Sequence, residues 1–227
     1  MDQVKNINKY YDDLKVLEDI SIVFPKNKTT CILGPSGCGK TTLLNIISGI
    51  TKMDSGEIIG FDEDISFVFQ EDRLMEWKNI NDNMEFVLKN KMDKRQRKLT
   101  IDKYLKLVDL EEYKYYYPRK LSGGMRQKIS ILRAFAYPSK ILIMDEPFKS
   151  LDISSKQLLI DFFKKLRTIE NRTCIIVTHD VEEAIILGDK IVVLTEKPTT
   201  VKKVIELNEN EVNRDKLRKI IENQFIL

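Results

Sequence analysis

Four groups of residues in this chain have the types and spacing to do chemistry. The first is Gly34-Pro35-Ser36-Gly37-Cys38-Gly39-Lys40-Thr41-Thr42. It fits G-x-x-x-x-G-K-[ST], a loop whose backbone amides cradle phosphate. Gly34, Gly37 and Gly39 permit positive φ and close backbone approach to a ligand. Lys40 is placed to reach the β- and γ-phosphates of a nucleotide, and the Thr41 hydroxyl to ligate Mg2+. The second group is Asp145-Glu146, after the apolar run Ile141-Leu142-Ile143-Met144. A buried strand ending in a carboxylate puts charge at the C-terminal edge of a sheet, where α/β ligands bind. Asp145 has the context of a Mg2+-side aspartate, and Glu146, facing differently, could activate a water. The third is Leu121-Ser122-Gly123-Gly124-Met125-Arg126-Gln127. Ser122 is a good N-cap, and glycines at a helix N-terminus expose N–H groups to an anion. The fourth is His179, the only histidine in the chain. By itself a lone histidine at a strand end reads as structural.

These residues need strands and helices to hold them. Thr29-Thr30-Cys31-Ile32-Leu33 reads as a buried strand feeding the glycine loop, and 43–49 as an apolar helix ending at Gly49. Before them, 16–24 is a strand and 25–28 a turn. After them come a turn at 53–56, short strands at 57–59 and 65–69, and a turn at 60–64. From 71 to 120 glycine disappears and helical periodicity rises. Ile80, Met84, Val87 and Leu88 share one face, and Ile101, Leu105 and Val108 another. Tyr115-Tyr116-Tyr117-Pro118 closes this stretch, with core packing as the expected role of its rings. Then strands (141–144, 173–177, 190–194) alternate with helices (122–137, 154–169, 181–187). That alternation predicts an α/β fold with a mostly parallel sheet covered by helices. A strand at 201–207 and a helix with Leu217, Ile220, Ile221 and Phe225 on one face end the chain.

Composition narrows the class. The chain has 227 residues, 42% hydrophobic and 32% charged, with net charge +3. That suits one domain and implies no nucleic-acid partner. The basic stretch at 91–98 reads as a solvated face. Cys31, Cys38 and Cys174 lack metal-type spacing and read as buried free thiols in a reducing compartment. The N-terminus shows no signal-peptide core, and no apolar run approaches the ~20 residues of a spanning helix. A cytoplasmic location is therefore expected, with any membrane association made through another protein.

Taken together, the motifs resemble those of the ATP-binding cassette of ABC transporters, over essentially all of residues 1–200. Residues 34–42 resemble the family's Walker A motif, 121–127 its signature motif and 141–145 Walker B, with Glu146 as the catalytic glutamate. Ser150-Leu151-Asp152 resembles the D-loop, Gln70 the Q-loop glutamine and His179 the switch histidine. Tyr11 lies where the family places an aromatic that stacks on adenine, with Tyr10 as the adjacent competitor. The resemblance implies one P-loop NTPase domain over 1–227. Its RecA-like core, with an N-terminal antiparallel β-region, takes 1–70 and 121–200. A helical subdomain takes 71–120, and 201–227 adds a strand and helix. It also implies a mechanism. Two copies meet head to tail, and ATP on Lys40, Thr41 and the loop of one copy is covered by Ser122, Gly123 and Gly124 of the other. Mg2+ is held by Thr41, with Gln70 and Asp145 in or near its shell. Glu146 is the general base, His179 bonds the γ-phosphate and Asp152 works across the dimer.

The stretch Gln70-Glu71-Asp72-Arg73-Leu74-Met75-Glu76-Trp77, with Asp82-Asn83, resembles importer ATPases for nitrate, sulfonate and taurine. Glu76 stands where those commonly have proline. The resemblance implies a separate membrane permease contacted through Leu74, Met75 and Trp77, a solute-binding protein, and a peripheral place on the cytoplasmic side of the membrane. Rival expectations are the ATPase subunit of an exporter and a soluble ABC ATPase acting in DNA repair or translation. Long coiled-coil insertions and tandem cassettes, which mark the latter, are absent from this chain. Lys149 stands where a small residue is common, and Asn27-Lys28 replaces a usual Gly-Glu.

Overall fold

A computed structural model describes residues 2–61, 64–149, 151–207 and 214–222. Six strands form the main sheet in the order β5-β6-β7-β3-β8-β9. They are β3 (Thr29–Leu33), β5 (Ile65–Val68), β6 (Ile141–Asp145), β7 (Thr173–Thr178), β8 (Lys190–Leu194) and β9 (Val201–Glu206). The first five run parallel, and β9 pairs antiparallel with β8. Strands β3, β6, β7 and β8 are buried at every position, which is why they read as largely apolar runs without a polar alternation.

Side chains leave such strands alternately on the two faces. Cys31, Leu33, Leu142, Met144, Cys174, Ile176, Ile191 and Val193 enter one core. The helices α2 (Ile80–Leu88), α3 (Lys94–Lys106), α4 (Gly123–Ala136), α5 (Ile153–Ile169) and α6 (Val181–Leu187) pack there, with Leu217 and Ile221 of α7 (Arg214–Glu222). Ile32, Ile141, Ile143, Ile175, Val177, Val192 and Leu194 enter the other core, which holds α1 (Lys40–Ile47) and a three-stranded antiparallel sheet. That sheet has the order β2-β1-β4, from β1 (Asp2–Tyr11), β2 (Leu14–Phe24) and β4 (Ser55–Ile59). The α/β fold class and the parallel sheet stand as expected.

Several local expectations change. The sequence did not single out β1. Its alternation is broken where the register shifts between Val4 and Ile7, and Asn6 sits there at φ 49°. The loop helix begins at Lys40, earlier than the apolar run at 43, because the glycine loop leads straight into it. Asn27 takes the left-handed φ of 60°, so asparagine can serve where glycine is usual. Tyr115, Tyr116 and Tyr117 are exposed by 68%, 44% and 39%, against the expected core packing. Backbone holds this segment instead: the carbonyls of Lys114 and Tyr116 accept hydrogen bonds from the Asn81 and Ile80 amides of α2. The three thiols are buried and free, as expected. Phe225, Ser150 and part of the 60–64 turn lie outside the described residues.

Two buried polar groups fix the elements that matter most. Arg172 lies at the start of β7 and is buried. Its guanidinium donates to the carbonyls of Ala134, Phe135 and Tyr137 (2.7–3.3 Å), satisfying the orphan C-terminal carbonyls of α4. Asn83, fully buried in α2, accepts from the Met75 amide (2.8 Å) and donates to the carbonyls of Met75, Lys78 and Asn79. It staples the turn that follows β5.

Candidate active site

The C-terminal ends of β3, β6, β7 and β8 converge on one sheet edge. The loop 34–39 leaves β3 there. Gly37 (φ 76°) and Gly39 (φ 117°) take left-handed backbone. Gly34 is needed for space rather than for φ: an added Cβ would lie 2.9 Å from the Cys38 sulfur and 3.2 Å from Leu194 Cβ. Ser36 and Gly37 are exposed at the loop tip. Lys40 opens α1, is 5% exposed, and donates to the carbonyls of Gly34 and Pro35, both at 2.8 Å. Its ammonium is thus held inside the curve of the loop. The Cys38 thiol is buried beneath the loop. Burial pushes its pKa up, while the charges of Lys40 and Lys197 pull the other way.

A cavity of about 260 Å³ opens over this loop, lined by Gly37, Gly39, Lys40, Thr41, Thr42, Glu146, Tyr11, Leu14, Val16 and Lys197. Tyr11 lies on its wall and Tyr10 does not. The Tyr10 amide instead donates to Asp54 Oδ2 (2.6 Å). At the floor the Thr41 hydroxyl donates to Asp145 Oδ2 (2.8 Å). Burial raises the Asp145 carboxyl above its ordinary range, and the Thr41 bond partly offsets this. A hydroxyl beside a buried carboxylate is a hard-oxygen pair that fits Mg2+, which takes its remaining ligands from phosphate and water.

Glu146 turns away from the strand direction through a left-handed φ of 44° and lines the cavity. Its Oε2 is 2.7 Å from Lys149 Nζ and 3.3 Å from His179 Nδ1. Burial raises its pKa, but Lys149, His179 and Lys40 outweigh that, so the carboxyl sits below its usual range and stays ionised. His179 follows β7 and is held by its neighbour. Asp180 caps α6, accepting from the amides of Glu182 and Glu183, and pairs with Lys156 of α5.

Several residues singled out by sequence do not line this cavity: Gly34, Pro35, Ser36 and Cys38 of the loop, Asp145 beneath Thr41, His179, which is 3.3 Å from the lining residue Glu146, and Gln70, Ser122, Gly123, Gly124 and Asp152. Ser122, Gly123 and Gly124 open α4, where the Ser122 hydroxyl accepts from the Met125 amide. Ser122 and Gly123 are exposed. Asp152 caps α5, and hydrogen bonds from Ser154 and Ser155 hold its exposed carboxyl far below the ordinary range. Gln70 follows β5, which pairs Val68 with Met144 of β6. It emerges at the same sheet edge as Asp145, but it is exposed and off the cavity wall. Of the three partner candidates, Leu74 is turned into the core, Met75 is half-buried and Trp77 is 77% exposed. Sequence reasoning missed Leu14, Val16 and Lys197. For Lys197 a signal was present: it follows β8, one of the strands whose C-terminal ends bind ligands in α/β folds.

Strand, glycine loop and helix, with a carboxylate at the end of parallel strand β6, one strand removed from β3 across β7, define a P-loop nucleotide-binding protein. Comparison with known proteins narrows this. The family profile described as "ABC transporter" matches residues 17–149. An uncharacterized ABC transporter ATP-binding protein of Methanocaldococcus jannaschii is 36% identical, over 91% of this chain and 82% of its own. The aliphatic sulfonates import ATP-binding protein SsuB of Bacillus cereus is 34% identical, over 98% and 94%. The sulfate/thiosulfate import ATP-binding protein CysA of Neisseria meningitidis is 37% identical, but this chain spans only 58% of its length. Among solved structures, the dimeric ABC transporter cassette MJ0796 matches with TM-score 0.79 and 29% identity, over 92% of this chain and 99% of that one. This chain belongs to the ABC transporter family, as an ATP-binding and ATP-hydrolysing cassette.

Proposed function

We propose that this chain is the ATPase subunit of an ABC importer for small oxyanion solutes of the nitrate, sulfonate and taurine kind, and that it works as a head-to-tail dimer beneath a separate permease. The observation that carries the dimer is the separation of the two cradles within one chain. Among the described residues Ser122, Gly123 and Gly124 are not among those that line the P-loop cavity, and Ser122 and Gly123 are exposed. A second copy, turned head to tail, supplies the lid. The import direction is supported by relatives whose names specify import of sulfonates and of sulfate or thiosulfate.

In this reading the loop amides and Lys40 hold the β- and γ-phosphates, and Tyr11 stacks on the adenine. Thr41 and Asp145 would hold Mg2+, with Gln70 as a further candidate ligand. The metal supplies charge neutralisation on the phosphates. Glu146, already ionised and aimed into the cavity, accepts a proton from the attacking water. His179, 3.3 Å from Glu146, bonds the γ-phosphate. The lid from the partner copy excludes water, which strengthens each of these interactions. Asp152 acts at the dimer seam. Residues 71–120 form the subdomain that meets the permease, with Trp77 as the projecting contact and Met75 beside it. A solute-binding protein delivers the substrate on the far side. Among the described residues no helix is long and apolar enough to cross a membrane. In this reading the chain sits peripherally on the cytoplasmic face, held by its permease.

Glu146→Gln tests this reading. The variant keeps the shape of the site but removes the base, so turnover falls by about 10²–10⁴-fold. ATP then drives a stable dimer visible by light scattering. A variant that stays monomeric at saturating ATP contradicts the shared site.

A further inference from the structure

The loop 195–200, between β8 and β9, is tied to the nucleotide cavity more firmly than a surface turn requires. Thr199 is fully buried, and its hydroxyl donates to the Cys38 carbonyl, inside the glycine loop. The Thr199 amide donates to the Val16 carbonyl (3.0 Å), and the Glu18 amide donates to the Thr199 carbonyl (2.8 Å). Leu17 and Thr199 form a parallel bridge. Within the loop, the Thr195 hydroxyl accepts from the Thr200 amide (2.8 Å). Val16 is itself a cavity wall residue. So this short loop is clamped at once to the phosphate cradle and to the β2 wall.

What the clamp presents is a cation. Lys197 lines the same cavity as Tyr11, Gly37, Gly39 and Lys40. It is exposed and has no acidic partner among the described residues. The cavity's other lysine, Lys40, is already turned into the loop by two carbonyls. Glu146 is the one acid on the wall, and it pairs with Lys149. An unpaired ammonium on a backbone pinned to a phosphate-binding loop is suited to a polyanion, and ordering the loop beforehand lowers the entropic cost of the contact.

We propose that Lys197 is a second nucleotide-binding cation, which contacts the phosphate chain from the β8–β9 loop. This rests on the P-loop reading of the cavity. Because the side chain is exposed, the effect is modest and screened by salt. The test is calorimetric titration of the full chain with Mg-ATP and Mg-ADP, with adenosine binding followed by ligand-observed NMR. Lys197→Ala weakens ATP and ADP by about 3- to 10-fold at low salt, leaves adenosine unchanged, and loses most of its effect at high salt. Lys197→Arg restores binding. Thermal unfolding of both variants matches the parent. If Lys197→Ala leaves ATP and ADP unchanged while Lys40→Ala removes their binding, the cavity reading holds and the role of Lys197 is overturned. If adenosine weakens equally, the phosphate contact is overturned. If Lys40→Ala binds ATP normally, the P-loop reading itself fails and this proposal with it.

Discussion

The loop at 34–42 and the turn at 122–124 are both suited to phosphate, yet the fold treats them in opposite ways. The first is enclosed. Its lysine is buried, two of its glycines take left-handed backbone, its threonine reaches Asp145, and a separate loop is clamped to it through Thr199. The second is open. Ser122 caps its own helix, Gly123 has open space around it, and both are exposed. A site whose amides stay in water gains little from an anion, because water already satisfies them. On the shared-site proposal, the second cradle becomes useful when another surface dries it, and one copy of the chain carries the two halves of a site apart from each other.

The exposed cradle is nonetheless not loosely held. Arg126, in the first turn of α4, binds Asp72 through Nε and Nη2 (2.8 and 3.2 Å) and Glu76 through Nη2 (2.5 Å). Seven residues on, Arg133 donates to the carbonyls of Arg73 and Asp72. Burial pushes the Asp72 carboxyl up, but Arg126 outweighs it and holds it below its usual range. Glu76, the residue that replaces the usual proline, thereby joins the grip. The helix that presents the second cradle and the turn that carries Trp77 are therefore one mechanical piece.

The contrast can be broken at either end. Removing the enclosed cation has the largest effect. Lys40→Ala should weaken ATP binding to the isolated chain by about 100-fold, equivalent to about 2.7 kcal/mol, as measured by calorimetry. Binding within a factor of two of the parent would show that the cavity does not hold the phosphates. The open cradle should behave differently. Gly123 has an ordinary backbone and room for a side chain, so Gly123→Asp should fold normally. It should leave ATP binding to the monomer intact and reduce turnover by about 10-fold or more, since its carboxylate repels the partner's nucleotide. A matching loss of monomer affinity would mean that 122–124 acts within its own chain. Trp77→Ala should change least in the isolated protein, with ATP affinity and thermal stability within experimental error because the ring is exposed. Copurification with the permease should fall, and unchanged copurification would remove Trp77 from that interface.

The sequence made the enclosed half easy to read and the open half hard. The glycine loop, the buried strand before it and Asp145 form a local pattern, because backbone geometry at 37 and 39 favours glycine and strand β3 is a buried run of β-branched and apolar residues. The N-cap Ser122 was read directly, since capping is decided within a few residues, whereas the capping roles of Asp152 and Asp180 were not singled out. Strand β1 was not, because its bulges break the alternation that marks a strand. The exposed tyrosines at 115–117 misled for a related reason. Three rings in a row suggest a core, but the segment is fixed by carbonyls that no side-chain pattern records. Lys197 gave a partial signal, since it follows the strand read at 190–194, but that this strand lies beside β3 is a matter of topology. The family resemblance supplied what local physics left open for His179, whose place beside Glu146 follows from the parallel pairing of β6 with β7.

The central claim is that neither cradle works alone. ATP turnover by the purified chain, measured from high micromolar protein down to deep dilution at saturating Mg-ATP, tests it most directly. Activity per chain should fall steeply with dilution, following the loss of the dimer, while ATP affinity per chain persists. Activity per chain that stays constant to deep dilution would contradict the shared site.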